Sequence, residues 1–330
     1  MKEFVIRILL IVVSLSLFVL AEFILRTRKL DFIVPIRIIT SGSRAEDWRE
    51  FHMFSNEDFI PDPYLFWKLN PKNKLSNSKG FIGPEFNSIK PDATIRIFCI
   101  GDSNTMGTTD GSYPLELGSL VQSRLFSNKK VEVINAGIAG YSSLQGLRLC
   151  FEIMKYNPDL VTICFGWNDP CFTSRKPDKM FRPVNKTLLG IERFFYRFKT
   201  YQLLRYIFLK LGLTKRQQIK GYTRRVDSED YESNLIEMVN LTKTNRVKLL
   251  FITRPCISEL EPWMESFVND TKFYNSIVRL VAKRLDIDII DAEIIFCNHQ
   301  EYFFDSCHFN REGGRLLAEK IYDYIKKQFK

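Results

Sequence analysis

The sequence predicts a three-layer α/β/α sandwich around a central parallel sheet, preceded by one N-terminal transmembrane helix. Three observations carry that expectation. An uncharged apolar run opens the chain. Five short β-rich runs, apolar on both faces, alternate with helical stretches from residue 94 onward. The composition is globular, with 45% apolar and 26% charged residues over 330 positions. Strands apolar on both faces and separated by helices form parallel sheets covered on both sides, and right-handed crossovers put the helices in two outer layers. With 13 Pro and 16 Gly, the same composition excludes disordered, collagen-like and low-complexity classes.

The first element is the apolar run. Residues 8–21 (ILLIVVSLSLFVLA) carry no charge, and the stretch from Phe4 to Leu25 is interrupted only by Arg7 and Glu22. A bilayer crossing needs roughly 20 mostly apolar residues, and long charged side chains near the ends of such a span reach back to the polar boundary. A cleaved signal peptide is the alternative; it is disfavoured because Ala21 is followed by Glu22, Phe23 and Ile24 rather than by a small-residue cleavage site. Lys2 and Arg7 precede the span and Arg26, Arg28 and Lys29 follow it, a small excess that favours a cytoplasmic C-terminal side. Residues 1–29 are thus the expected anchor. Residues 30–92, punctuated by Pro61, Pro63, Pro71, Pro84 and Pro91, are the expected connector, with Phe51, Phe54, Tyr64, Phe66 and Trp67 packing on the main domain.

From residue 93 to 330 the α/β pattern takes over. The strand candidates are Thr94–Ile100, Lys130–Ile134, Leu160–Phe165, Val247–Thr253 and Ile287–Ile290; helices are expected near 115–127, 142–156, 229–245, 263–284 and 310–328. An insertion at 170–228 breaks the rhythm. It holds 15 Lys/Arg against 3 Asp/Glu, so the formal charge of +10 is a local excess of +12 over a remainder of −2. Within it, residues 191–213 mix aromatics and bases at helical spacing. That pattern suits an amphipathic helix on a bilayer surface, or a helix packed on the domain with a solvated basic face.

Seven Cys, an odd number without short-spaced pairs, argue against a disulfide framework. No Cys-x-x-Cys, His-Glu-x-x-His or P-loop pattern occurs, and Cys297, His299, Cys307 and His308 match no zinc module, so no metal or organic cofactor is implied. The histidines are His52, His299 and His308. Ligands of parallel sheets bind beyond the carboxyl ends of the strands. There the sequence places Gly101-Asp102-Ser103-Asn104-Thr105, then Asn135 to Gly140, then Gly166-Trp167-Asn168-Asp169; Asp305-Ser306-Cys307-His308 precedes the last helix. A serine becomes a nucleophile when a base takes its proton. His308 is the candidate base, Asp305 the group that fixes its tautomer, and the N–H groups of Ser103 and Gly140 with the amide of Asn168 the candidate donors to an oxyanion. Asp102 is expected to hydrogen-bond within its turn, and Trp167 to line a pocket or the core.

These four blocks, in this order, resemble the SGNH hydrolase (GDSL esterase/lipase) superfamily, whose namesake Ser, Gly, Asn and His correspond to Ser103, Gly140, Asn168 and His308. Asp305 stands in the matching Asp-x-x-His. The resemblance covers residues 92–330 apart from the insertion. Asp62-Pro63, Trp67 to Pro71, Gly80 to Pro84, Arg225-Val226, Tyr231 and Asn234-Leu235 extend it to bacterial members with one N-terminal membrane anchor. It implies a flavodoxin-like fold, an extracytoplasmic catalytic domain, and hydrolysis of carboxylic esters, such as O-acetyl groups of carbohydrates or lipid esters, through an acyl-enzyme on Ser103. The Gly-x-Ser-x-Gly elbow of α/β-hydrolases is absent, since residue 105 is Thr. Two other functions fit the same sequence. One is an acyltransferase that hands the acyl group to a cell-surface polysaccharide. The other is a non-catalytic module in which the basic insertion binds lipid headgroups or, without sequence specificity, nucleic acid.

Overall fold

The computed structural model describes residues 2–28, 58–62, 64–107, 111–123, 129–173, 177–180, 191, 194–195, 197–211 and 223–329. Their contacts divide the chain into two units, one drawn from residues 1–38, 51–68 and 182–218, the other from 39–50, 69–181 and 219–330. Strands β1 (Phe59–Asp62) and β2 (Phe66–Leu69) pair in a small two-stranded sheet.

The larger unit is built on five parallel strands: β3 (Thr94–Gly101), β4 (Lys130–Gly137), β5 (Leu160–Cys164), β8 (Lys248–Ile252) and β9 (Asp288–Ile290), in the order β4-β3-β5-β8-β9. That is the doubly wound order, which reverses direction between β3 and β5 and leaves a crevice at the carboxyl ends of those strands. β3 and β5 are buried along their whole length, as strands covered on both faces must be. The covering helices are α3 (Tyr113–Ser123), α4 (Ser143–Ile153), α6 (Ser228–Thr244), α7 (Glu265–Leu285) and α9 (Arg311–Gln328), with the short α2 (Ser103–Met106) and α8 (Ala292–Phe296) at strand ends. Their starts are chemically marked. Ser142 and Gln145 make a capping box on α4, Asp227 accepts from the Asp230 N–H at α6, and Asn310 accepts from the Gly313 N–H at α9.

The elements fall where the hydropathy pattern predicts, with two informative differences. β4 continues through Gly137 rather than ending at Ile134, because Asn135 is held by its side chain: its amide donates to the Met106 carbonyl and to Ser112 Oγ. The α4 helix gives way to a 3₁₀ turn at Met154–Tyr156, which Asn157 closes in a left-handed conformation. Of the connector aromatics, Phe51 and Phe54 lie outside the described residues, and Tyr64, Phe66 and Trp67 belong to the other unit. On the sheet, Phe81 and Phe86 make edge-to-face contact with Phe98 at 5.4 and 5.8 Å.

The ends of the basic insertion close on themselves. β6 (Phe172–Thr173) pairs antiparallel with β7 (Thr223–Arg224), and Asp178 donates its N–H to the Arg225 carbonyl at 2.8 Å. Between these ends the chain leaves for the smaller unit. There the helix α1 (Lys2–Thr27) is the one element among the described residues long and apolar enough to cross a membrane. It is accompanied by α5 (Lys199–Lys210); within the 191–213 stretch Ile191, Phe194 and Phe195 are also helical, Arg197 and Phe198 interrupt the helix, and residues 212–213 lie outside the described residues. Of the seven cysteines, six are buried and Cys297 is exposed.

Candidate active site

The carboxyl ends of the three neighbouring strands lie in register: Gly101 pairs with Gly137 on one side and with Cys164 on the other. Ser103, Gly140 and Asn168 follow two, three and four residues later, which brings the three expected blocks to one edge of the sheet. The approach is close because glycine allows it. A Cβ on Gly101 would run into Thr105 Oγ1 and the Cys164 carbonyl. Asp102 caps the turn of helix that carries Ser103, accepting from the Asn104 N–H at 2.9 Å.

The loop before α9 brings the remaining two groups. Asp305 folds this loop around itself, its Oδ1 accepting from the N–H groups of Cys307 and His308 at 2.9 and 2.8 Å. The Phe309 N–H donates to Asn104 Oδ1 at 2.9 Å, tying the loop to the α2 turn. The result is a continuous chain of side chains. Asp305 Oδ2 lies 2.7 Å from His308 Nδ1, and His308 Nε2 lies 2.8 Å from Ser103 Oγ. Burial pushes the Asp305 carboxyl up, but the hydrogen bond and charge of His308 and the two backbone N–H groups outweigh it and hold it well below the usual carboxylate range. An ionised acceptor at Nδ1 fixes the proton there and leaves the Nε2 lone pair toward the serine hydroxyl.

The three candidate oxyanion donors are arranged as follows. Among the described residues neither the Ser103 nor the Gly140 N–H has a hydrogen-bond acceptor. Gly140 adopts φ 76°, a left-handed conformation that favours glycine. The Asn168 amide is steadied by donating to the Tyr141 carbonyl at 3.1 Å, which leaves its second N–H available. Trp167 packs with Cys256, Val268 and Cys307 in a small apolar cluster.

Two buried arginines complete the site; the sequence marks Arg225 only through the resemblance to anchored bacterial members, with no role attached, and does not single out Arg254. Arg254, just past β8, donates from Nε to Asp102 Oδ2 at 2.9 Å and from Nη1 to the Cys307 carbonyl at 2.7 Å. It therefore grips the residue before Ser103 and the residue before His308. Arg225 donates from Nη1 to the Gly140 carbonyl at 2.8 Å and from Nη2 to Gln145 Oε1 and Asp178 Oδ2. Ser142 Oγ donates to the same Asp178 oxygen at 2.7 Å.

One His/Cys/carboxylate group among the described residues is close enough to share an ion: Asp305, Cys307 and His308. The chemistry does not fit one. Cys307 Sγ lies 3.4 Å from Nδ1 and 3.9 Å from Nε2 of the same ring, near-equal distances that place the sulfur over the ring face, off the lone pair of either nitrogen. The Cys307 thiol is also pushed well up by burial, and thiolate is the metal-binding form.

The model of the GDSL-like lipase/acylhydrolase family matches residues 99–316. No curated protein matches the chain. Among solved structures, the lipase/acylhydrolase from Enterococcus faecalis is 22% identical, covers 72% of this chain and 97% of its own, and superposes with a TM-score of 0.49. The acetylxylan esterase Axe2 from Geobacillus stearothermophilus is 18% identical, covering 70% and 94%, with a TM-score of 0.44. The family match spans more than half of the chain and takes in all four strand-end blocks, from the Ser103 turn to the His308 loop; the chain belongs to the GDSL-like lipase/acylhydrolase family, hydrolases that act on ester bonds.

Proposed function

We propose that the protein is a membrane-anchored serine esterase in which Ser103, His308 and Asp305 perform the reaction. The observation that carries this is the unbroken 2.8 Å and 2.7 Å relay from Ser103 Oγ through the imidazole to Asp305. Ser103 Oγ attacks the ester carbonyl carbon while His308 Nε2 takes its proton. The tetrahedral oxyanion accepts from the N–H groups of Ser103 and Gly140 and from the Asn168 amide, each donor of this kind lowering the barrier by about 3–4 kcal/mol. His308 returns the proton to the departing alkoxide, which leaves an acyl group on Ser103. Water then repeats the sequence and releases the acid. The ester we assign is a carboxylic ester borne by a carbohydrate or lipid at a membrane surface, a setting that retention of α1 in the bilayer would provide, with the hydrolase unit on the extracytoplasmic side.

Replacing Ser103 by Ala in the full chain should remove hydrolysis of p-nitrophenyl acetate, a loss of at least about a thousandfold, with an unchanged melting curve. Full activity in that variant would overturn the assignment. Acetyl, butyryl and long-chain p-nitrophenyl esters then read the acyl length accepted. Product analysis with polysaccharide acceptors present separates transfer to a sugar hydroxyl from transfer to water.

A further inference from the structure

The smaller unit contains a joint that neither the ester chemistry nor a simple anchor calls for. Glu22, in the last turns of α1, is buried and takes four hydrogen bonds through its carboxylate. Arg26 Nε donates to Oε1 at 2.8 Å, the Lys199 N–H to Oε1 at 3.0 Å, and the Thr200 N–H and hydroxyl to Oε2 at 2.9 and 2.8 Å. Lys199 and Thr200 are the first two residues of α5, whose N–H groups have no acceptor within the helix, and Phe198, which precedes them, has no side-chain acceptor to offer. Glu22 is therefore the capping side chain of a helix 177 residues away, and its charge meets the positive end of that helix. Arg26 Nη2 donates to the Arg197 carbonyl at 2.8 Å, and Phe18 meets Phe198 edge to face at 5.6 Å.

The joint has a fixed position along α1. The twenty residues from Lys2 to Ala21 rise about 30 Å as α-helix, which matches the hydrocarbon thickness of a bilayer. Glu22 then falls at the polar boundary, and so does the start of α5. From there α5 presents Leu204, Ile207, Phe208 and Leu211 to the outside, at the i, i+3, i+4, i+7 spacing of a single helix face, all of them exposed. Such a stripe facing water would be a hydration liability. Phe194 and Phe195, just before the joint, are also exposed. Residues 197–211 carry Arg197, Lys199, Arg205 and Lys210 and no acid.

We propose that α5 is an interfacial helix, held by Glu22 at the headgroup level, which lays Leu204, Ile207, Phe208 and Leu211 into the acyl boundary of a leaflet rich in anionic lipid. The inference rests on α1 being a membrane span. Continuity with the apolar surface of α1 supplies the apolar partner, and the net positive charge of residues 197–211 supplies the preference for anionic headgroups, each base near such a surface contributing about 1 kcal/mol.

The test uses the full chain in vesicles of phosphatidylcholine, alone or mixed with phosphatidylglycerol, carrying bromines at set depths on the acyl chain. The variant Phe208→Trp adds an indole on the stripe, and Leu211→Trp serves if the first folds poorly. The added emission over wild type should be quenched most by bromines near the headgroup end, and at least twofold more strongly with phosphatidylglycerol present. Glu22→Gln in the same background should lower that quenching by half or more, with hydrolysis of a soluble ester unchanged. Absence of quenching, quenching indifferent to phosphatidylglycerol, or quenching indifferent to Glu22→Gln overturns the proposal. Carbonate washing separates the two levels. Release of the chain from the vesicles overturns the anchor on which the proposal rests, whereas an unquenched indole in a carbonate-resistant chain overturns the role of α5 alone.

Discussion

Asp169 follows Asn168 and is closed off from water, with Oδ1 accepting from the Ser143 N–H at 2.8 Å and Oδ2 without a hydrogen-bond partner among the described residues. Burial pushes its carboxyl up to about 7, against the pull of the Ser143 hydrogen bonds and the Arg225 charge. The sign of the effect on folding follows from proton counting. Between the ordinary carboxylate range and pH 7 the folded chain holds a proton that the unfolded chain has released, so stability falls as pH rises through that window and is lowest above it. The amplitude is on the order of 4 kcal/mol, at 1.36 kcal/mol per pKa unit. Asp169→Asn keeps the Ser143 acceptor and removes the ionisation. It should flatten the dependence of melting temperature on pH between 5 and 8 and raise the melting temperature above pH 7. A slope equal to that of the wild type would show that Asp169 ionises freely in the folded chain.

At the scale of elements, the Ser103–His308 pair depends on three of the loops that make the site, those after β3 and β8 and the one before α9. Arg254 fastens them. Its guanidinium is fully buried, so removing it strands the Asp102 charge, and breaking a buried pair of this kind costs roughly 3–5 kcal/mol. Arg254→Met should therefore melt early and hydrolyse poorly. Adding Asp102→Asn removes the stranded charge and should restore most of the melting temperature. The double variant should still show kcat at least tenfold down, since the Cys307 carbonyl has lost its donor and His308 its fixed distance to Ser103. Recovery of both quantities would make Arg254 a support of the fold alone. What the sequence showed and hid at this scale has a physical basis. Ser103, Gly140 and Asn168 follow strand ends that hydropathy periodicity locates, and Asp305 and His308 stand just before the last helix that the same periodicity locates. Arg254 reads as surface charge, and the resemblance that includes Arg225 gives it no role, because burial of an arginine depends on partners 152 and 47 residues distant, which no local pattern reports. Arg225 was counted within the basic excess of the insertion, yet it is paired with Asp178 beneath Gly140; Arg224 beside it pairs with Asp270.

For the whole molecule, the proposed anchor and the proposed side of the membrane have separate readouts. The full chain should stay with the membrane fraction through a carbonate wash. Cys297, the one exposed thiol of seven, should react with an impermeant maleimide on intact cells. Reaction only after lysis would put the hydrolase unit in the cytoplasm, the side that the bases around α1 favour. The apolar run of α1 was legible from composition alone. The role of Glu22 was not, because an acid at the end of such a run reads as a solvated boundary residue until its partners at 199 and 200 are seen.

The pairing of β6 with β7, and of Asp178 with Arg225 just inside it, means that the chain departs from the hydrolase unit and comes home at almost the same spot. The chain after Met180 leaves, and before Thr223 returns, through that doorway. A short glycine-serine bridge would span it without disturbing a strand of the main sheet. The excursion is thus an exchangeable cassette, and a lineage could trade it for another segment while the ester-cleaving scaffold stayed as it is.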